Sequence, residues 1–128
     1  MLLNEISGIT PPFLPGGRVE SDESVVRALE RELDEELGIQ CEVGPYLGAI
    51  EHRWPDETPT DYEVNHIFLV ACPDLGDLVI PRETDHPFFW RPLDSLADSN
   101  LSPLPLPCLI TAYLSGDPMP WWATTLPA

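Results

Sequence analysis

The chain has 128 residues, which suits one domain with its own hydrophobic core. Six arginines, no lysine and 22 acidic residues give it a net charge of −16. Because phosphates bind to cationic surfaces, this charge argues against nucleic acid as a partner. For the same reason, a phosphate ligand must either arrive with cations or meet them in its site.

The N-terminal part of the chain predicts a short strand followed by a tight loop. Leu2–Ile9 has the composition of a strand, and the residues at 10–12, Thr-Pro-Pro, end it because proline cannot donate to a sheet ladder. The residues at 13–17, Phe-Leu-Pro-Gly-Gly, then predict a tight loop. The loop leads directly into the most informative part of the sequence.

An amphipathic helix is predicted after this loop. It is expected to begin near Glu23 or Ser24, because Ser21 or Asp22 is a favourable N-cap, and Gly38 suits a left-handed exit. Apolar side chains recur along it at steps of three, four and four residues and predict a stripe that faces the core: Val26, Leu29, Leu33 and Leu37.

Strands and a second helix are predicted in the remainder of the chain. In order, they are a strand over Cys41–Glu51, a polar loop over 53–61, a strand over Glu63–Ala71, short strands over Leu78–Ile80 and Phe88–Arg91, and a helix over Pro107–Ser115 that exits at Gly116. Alternation is clearest in the second strand, where His66 shares a face with Val64 and Phe68 and is expected in the core. Residues 117–128 show no clear periodicity and predict a mobile or partner-packing tail. Strands mixed with two helices favour an α/β sandwich.

Three carboxylates crowd one face of the predicted helix. Glu32, Glu35 and Glu36 are spaced i, i+3 and i+4, and like charges this close destabilise an isolated helix. A hard divalent cation such as Mg²⁺ relieves the repulsion, because it prefers carboxylate oxygens and keeps waters that a phosphate can replace. The spacing therefore predicts a metal platform for phosphate chemistry.

Residues 17–39, GRVESDESVVRALERELDEELGI, resemble the Nudix box, the signature of the Nudix hydrolases. Every fixed position of that pattern is filled, by Gly17, Glu23, Arg31, Glu32, Leu33, Glu35, Glu36, Gly38 and Ile39. A weaker resemblance covers residues 2–115. The resemblance implies a single Nudix-like domain over residues 1–128 that folds as an α/β/α sandwich with a mixed β-sheet. It also implies that Mg²⁺, or Mn²⁺ in its place, supports hydrolysis of a diphosphate linkage in a nucleoside diphosphate joined to a further group.

The resemblance also assigns roles to individual residues. The implied metal ligands are the backbone carbonyl of Gly16 and the side chains of Glu32, Glu35 and Glu36, with Glu32 also a candidate general base. Arg31 is expected to pair with Glu23 or with a ligand carboxylate, which would fix the orientation of the site. A further carboxylate is expected from outside the box, and three candidates stay open: Glu63, Glu83 and Asp85.

One departure from the family pattern leaves two questions open. Members usually have a strand before the one predicted at Leu2–Ile9, and this chain has too few residues for it. Either the start is shortened, or the Trp121-Trp122 tail or the second subunit of a homodimer covers the exposed sheet edge. The missing strand also leaves room for an alternative function, a Nudix-fold module that binds a nucleotide or partner without turnover.

The cysteines and the N-terminus bear on the cellular compartment. Cys41, Cys72 and Cys108 are odd in number, far apart and without C-x-x-C spacing, so they predict neither a disulfide framework nor a zinc site. No signal peptide precedes the predicted strand, and no apolar stretch approaches the length of a membrane span. The sequence therefore predicts a cytoplasmic protein with a small-molecule substrate and no membrane contact.

Overall fold

The architecture was determined from a computed structural model, which describes residues 2–4, 13–53, 62–73, 88–98 and 100–127. In chain order its elements are β1 (Leu2–Asn4), α1 (Val25–Leu37), β2 (Glu42–His52), β3 (Glu63–Ala71), β4 (Phe88–Trp90), a 3₁₀-helix (Leu93–Asp98), α2 (Leu106–Leu114) and β5 (Trp121–Thr124). The predicted strands Cys41–Glu51 and Glu63–Ala71 are confirmed, as are the box helix and the last helix to within about two residues at each end. The predicted strand over Leu78–Ile80 and most of the loop over 53–61 lie outside the described residues.

Two sheets organise the described strands. In the larger one the strand order is β3-β2-β5, with β2 antiparallel to β3 and parallel to β5, so the sheet is mixed. In the smaller one β1 pairs antiparallel with β4, and Leu3 lies opposite Phe89. The predicted strand Leu2–Ile9 is thus seen over its first residues, and residues 5–12 lie outside the described part of the chain.

Helix α1 begins at a different cap from the one expected. The N-cap is Ser24, whose hydroxyl accepts a hydrogen bond from the backbone N–H of Arg27 at 3.1 Å. The prediction of Ser21 or Asp22 was wrong, because Asp22 has a left-handed φ of 64° and lies in a turn before the helix. The predicted exit is confirmed, since Gly38 adopts the left-handed conformation and donates its N–H to the carbonyl of Asp34 at 2.8 Å.

The large sheet is packed on both faces. On one face Val70 of β3 contacts a cluster built on Leu33 and Leu37 of α1. Ile67 lies three positions earlier, on the opposite face, and packs against the main core, whose buried members are Leu47, Ile50, Leu96, Leu101, Leu106, Ile110 and Trp121. The two helices therefore flank the sheet, as the α/β sandwich predicts. At the N-terminal end of α1 the apolar stripe is open, and Val26 is 36% exposed.

Strand β5 is the element that the sequence pattern did not predict. Its four residues pair with Gly48–Glu51 of β2, and Trp121 is 8% exposed while Trp122 is 63% exposed. Gly48 has a φ of 151°, and a β-carbon there would collide with the backbone of Trp121. The strand occupies one edge of β2; that Trp121-Trp122 covers an edge left by an absent strand stays a prediction.

Two further expectations were wrong. His66 is exposed, as is Val64 on the same face of β3, and the ring contacts the hydroxyl of Tyr46 through Nδ1 at 3.0 Å. Cys41 and Cys72 form a disulfide although they are 31 residues apart, because the register of β2 and β3 places them opposite each other. Cys108 is a free, exposed cysteine.

Candidate active site

The site is built around Arg31 on the surface of α1. Its guanidinium holds Glu23 with two parallel bonds, from Nε to Oε2 at 3.0 Å and from Nη2 to Oε1 at 2.8 Å. Nη2 also donates to the backbone carbonyl of Arg18 at 3.0 Å. Such a bidentate pair fixes the plane of the guanidinium, so the predicted pairing of Arg31 with Glu23 is present and ties the loop before the helix to the helix itself.

The remaining nitrogen of Arg31 faces the predicted metal ligands. Nη1 donates to Oε1 of Glu32 at 2.9 Å and to the two carboxylate oxygens of Glu35 at 3.3 and 3.4 Å. The carboxylate of Glu20 lies 3.7 Å from the same nitrogen. One cationic atom thus sits between Glu32 and Glu35 and offsets the repulsion that the sequence predicts for them.

These contacts shift the ionisation of both main partners. The hydrogen bonds from Arg31, followed by that from the backbone N–H of Glu20, lower the pKa of Glu23 from 4.5 to about 2. The bonds to Glu23 and then Glu32 raise the pKa of Arg31 above its ordinary value. Glu23 and Arg31 therefore both stay charged over the whole neutral and mildly acidic range.

The loop that contains Gly16 and Gly17 leaves room for the side chain of Glu32. A β-carbon built on Gly17 would overlap the carboxyl group of Glu32, so only glycine at this position lets that carboxylate lie against the loop. Gly16 has a φ of 152°, a conformation that residues with a side chain rarely adopt. Upstream, Phe13 forms a parallel β-bridge with Ser102, which anchors the loop to the segment before α2.

Glu36 differs from the other two glutamates of the triplet. It is 7% exposed and lies on the buried side of α1, next to Leu37, whereas Glu32 and Glu35 contact Arg31 at the surface. Across the ranges that the structure describes, no three His, Cys, Asp or Glu side chains are arranged to hold a metal ion.

Of the three candidate carboxylates outside the box, Glu63 lies in the described part of the chain. Glu63 begins β3 and pairs across the strands with His52, on the sheet face of Ile67 rather than that of Val70. Glu83 and Asp85 lie outside the described residues. Which carboxylate completes the site stays a prediction.

His52 is a buried polar residue that sequence reasoning missed. It is 7% exposed, and its Nδ1 lies 2.8 Å from the hydroxyl oxygen of Thr125, which joins the end of β2 to the segment after β5. Burial lowers the pKa of His52, and the charge of Glu63 partly opposes that shift. The available signal was its position two residues after Ile50, which places both side chains on the same face of β2.

The fold and the site together define an α/β protein whose helix presents carboxylates beside a glycine loop, with an arginine that positions them. The chain belongs to the NUDIX domain family, whose family model matches residues 2–108. None of the helices in the described part of the chain has the length and apolar character needed to span a membrane.

Curated relatives and a solved structure agree with this assignment. Over 87 residues, 66% of this chain and 24% of the relative, the chain is 38% identical to the 8-oxo-dGDP phosphatase NUDT18 of Homo sapiens. Over 69 residues, 44% of this chain and 51% of the relative, it is 42% identical to the CTP pyrophosphohydrolase of Escherichia coli. The solution structure of the E. coli ORF135 protein superposes with a TM-score of 0.63 at 27% identity, covering 89% of this chain and 79% of that one. The chain thus spans about a quarter to a half of the length of these curated relatives.

Proposed function

We propose that this protein is a Mg²⁺-dependent hydrolase that cleaves a diphosphate linkage in a nucleoside diphosphate joined to a further group. The observation that carries the proposal is the convergence of Glu32 and Glu35 on one cationic atom, Nη1 of Arg31. Because both carboxylates reach the same cationic atom, they are close enough together to bind one metal ion between them. The relatives named for 8-oxo-dGDP and for CTP support a nucleotide as the substrate class.

The donor atoms of the predicted ligands suit a hard divalent cation, although their side chains are not gathered around one point in this structure. Glu32, Glu35 and Glu36, together with the backbone carbonyl of Gly16, offer only oxygen donors, which Mg²⁺ prefers and for which Mn²⁺ can substitute. Gly17 leaves free the space that the Glu32 carboxylate occupies. When bound, the metal supplies neutralisation of developing phosphate charge and acidification of the attacking water.

Arg31 can release the carboxylates of Glu32 and Glu35 to a metal ion without changing its own position. Nη1 serves Glu32 and Glu35, whereas Nε and Nη2 are held by Glu23 and by the carbonyl of Arg18. Release of Nη1 therefore leaves three hydrogen bonds that keep the guanidinium and the loop in position. We assign Arg31 and Glu23 to positioning, and Glu32 is the candidate to accept a proton from water.

The test is a nucleotide panel assayed with Mg²⁺, with Mn²⁺ and with a chelator, reading phosphate release and identifying the cleaved bond. Glu35→Gln and Glu36→Gln are expected to lose at least about 100-fold in turnover, because each removes a charged ligand and loss of a residue that only supports a ligand already costs about 10–100-fold. Glu30→Gln is the matched control, since Glu30 is on the same helix and its ion pair among the described residues is with Arg27, at 3.3 Å. Undiminished turnover in both ligand variants, or turnover that survives the chelator, would contradict the assignment.

The alternative, nucleotide or partner binding without turnover, makes a different prediction for the same panel. Nucleotides would then bind in calorimetry, and no phosphate would be released with either metal. We further propose a cytoplasmic location and a small-molecule substrate, with no nucleic-acid partner because of the net charge of −16. Light scattering would decide whether the chain forms a homodimer.

A further inference from the structure

The disulfide between Cys41 and Cys72 sits where two paired strands end. Cys41 immediately precedes β2 and Cys72 immediately follows β3, beyond the last register pair, Glu42 with Ala71. Their Cα atoms are 4.5 Å apart, the separation of a directly opposed pair in an antiparallel ladder that is not hydrogen-bonded. The strands alone therefore hold the two sulfurs close together, whether or not they are joined.

The bond also lies under the functional helix. Cys41 packs against the cluster of Leu33 and Leu37, the only two fully buried leucines of α1 in the described structure, together with Val70 of β3. These leucines belong to the same two turns of the helix as Glu35 and Glu36. A covalent link at Cys41 thus fixes the part of the sheet on which the C-terminal half of α1 rests.

Small thiols can reach this position from solvent. Both cysteines are half-buried, and Cys41 lines an open depression of about 640 Å³ whose wall includes Arg27, Arg31 and Asp34. Access is a condition for thiol–disulfide exchange, because the attacking thiolate must approach a sulfur in line. In a reducing compartment such a pair is reversible rather than permanent.

We infer that Cys41 and Cys72 are a reversible redox modification site. Their disulfide fixes the part of the sheet against which the C-terminal half of helix α1 packs. In the closing reaction one cysteine thiolate attacks a low-molecular-weight disulfide, forms a mixed disulfide and releases one thiol. The second cysteine thiolate then displaces the second thiol, so two protein thiols are oxidised while one disulfide is reduced to two thiols. Excess small thiol reverses both steps.

The experiment uses the full chain carrying Cys108→Ser, which removes the third, exposed thiol from the exchange. The protein is equilibrated with reduced or oxidised glutathione, alkylated, and analysed by mass spectrometry for the Cys41–Cys72 link. Reduction is expected to lower the melting temperature by about 10 °C, since the bond closes a loop of 31 residues. The same reductant should leave the melting temperature of Cys41→Ser/Cys72→Ser unchanged.

Hydrogen exchange locates the effect. On reduction the amides of Leu33 and Leu37 should exchange faster, whereas those of Leu106 and Ile110 in the main core should keep their protection until global unfolding. Free thiols at Cys41 and Cys72 in oxidised glutathione would overturn the inference. So would a disulfide whose reduction changes neither the melting temperature nor the exchange of α1.

Discussion

Replacement of Trp121 by alanine should remove a large part of the stability of the fold. The indole is 8% exposed, packs in the main core with Ile50 and Leu106, and meets Tyr113 edge-on at 6.4 Å between ring centroids. Its Nε1 is buried and has no hydrogen-bond acceptor among the described residues, so the loss is one of packing. Trp→Ala in a core costs about 3–5 kcal/mol, against a total of about 5–15 kcal/mol for a domain.

Urea unfolding followed by circular dichroism measures the effect, and Trp122→Ala is the matched control. Trp122 is the next residue of the same strand but is 63% exposed, so its removal should change the free energy of unfolding by less than about 0.5 kcal/mol. The large difference between neighbours follows from alternation in β5. Equal losses in the two variants, or none in either, would refute the placement of β5 beside β2.

Three further predictions concern the site and pH. Gly17→Ala should displace the carboxylate of Glu32 and weaken its hydrogen bond to Arg31. The rate of metal-dependent turnover, measured by steady-state kinetics, should fall as a result. The pKa of Glu23 is lowered to about 2, so stability present above pH 4.5 is lost as the pH falls toward 2; unfolding of Glu23→Gln should lack this slope. Because burial lowers the pKa of His52 below 6.5, stability should also decline as the pH falls below that value, and His52→Gln should abolish this decline.

Helix α1 and strands β2 and β3 could be predicted because their patterns are long and internally consistent. The thirteen residues of α1 carry an apolar stripe and are followed by a glycine, and burial alternates along most of β3, with a break at Ile67 and Phe68. The start of α1 was less certain, since Ser21, Asp22 and Ser24 all precede it and each can act as a cap. The turn at Asp22, with its left-handed φ, decided in favour of Ser24.

Features that depend on contacts between distant residues could not be predicted. Strand β5 has four residues, too few for a periodic signal, and it forms because Gly48 allows a second backbone to approach β2. Cys41 and Cys72 are opposed only once the register of β2 and β3 is known. His66 was placed in the core from its apolar neighbours, but this end of its sheet face is exposed, as Val64 shows.

The site was predicted in part, because some of its contacts follow from helical spacing and others depend on distant parts of the chain. The spacing of Glu32 and Glu35 fixes their common helical face, and the pairing of Arg31 with Glu23 was expected from the family pattern. Spacing alone did not show that Arg31 divides its nitrogens between Glu23 and the predicted ligands, nor that Glu36 is buried. Both depend on the path of the loop before α1, which local sequence rules do not determine.

The charge around Arg31 predicts the order in which ligands bind. One guanidinium faces the carboxylates of Glu20, Glu23, Glu32 and Glu35, so the cluster keeps a net negative charge even with Arg31 ionised. Like unit charges about 4 Å apart near a protein surface repel by about 4 kcal/mol, which disfavours a bare diphosphate, whereas a divalent cation is attracted. We therefore expect calorimetry to detect Mg²⁺ or Mn²⁺ binding to the free protein, and nucleotide binding only with the metal present. Tight binding of a nucleotide in the presence of a chelator would contradict this order.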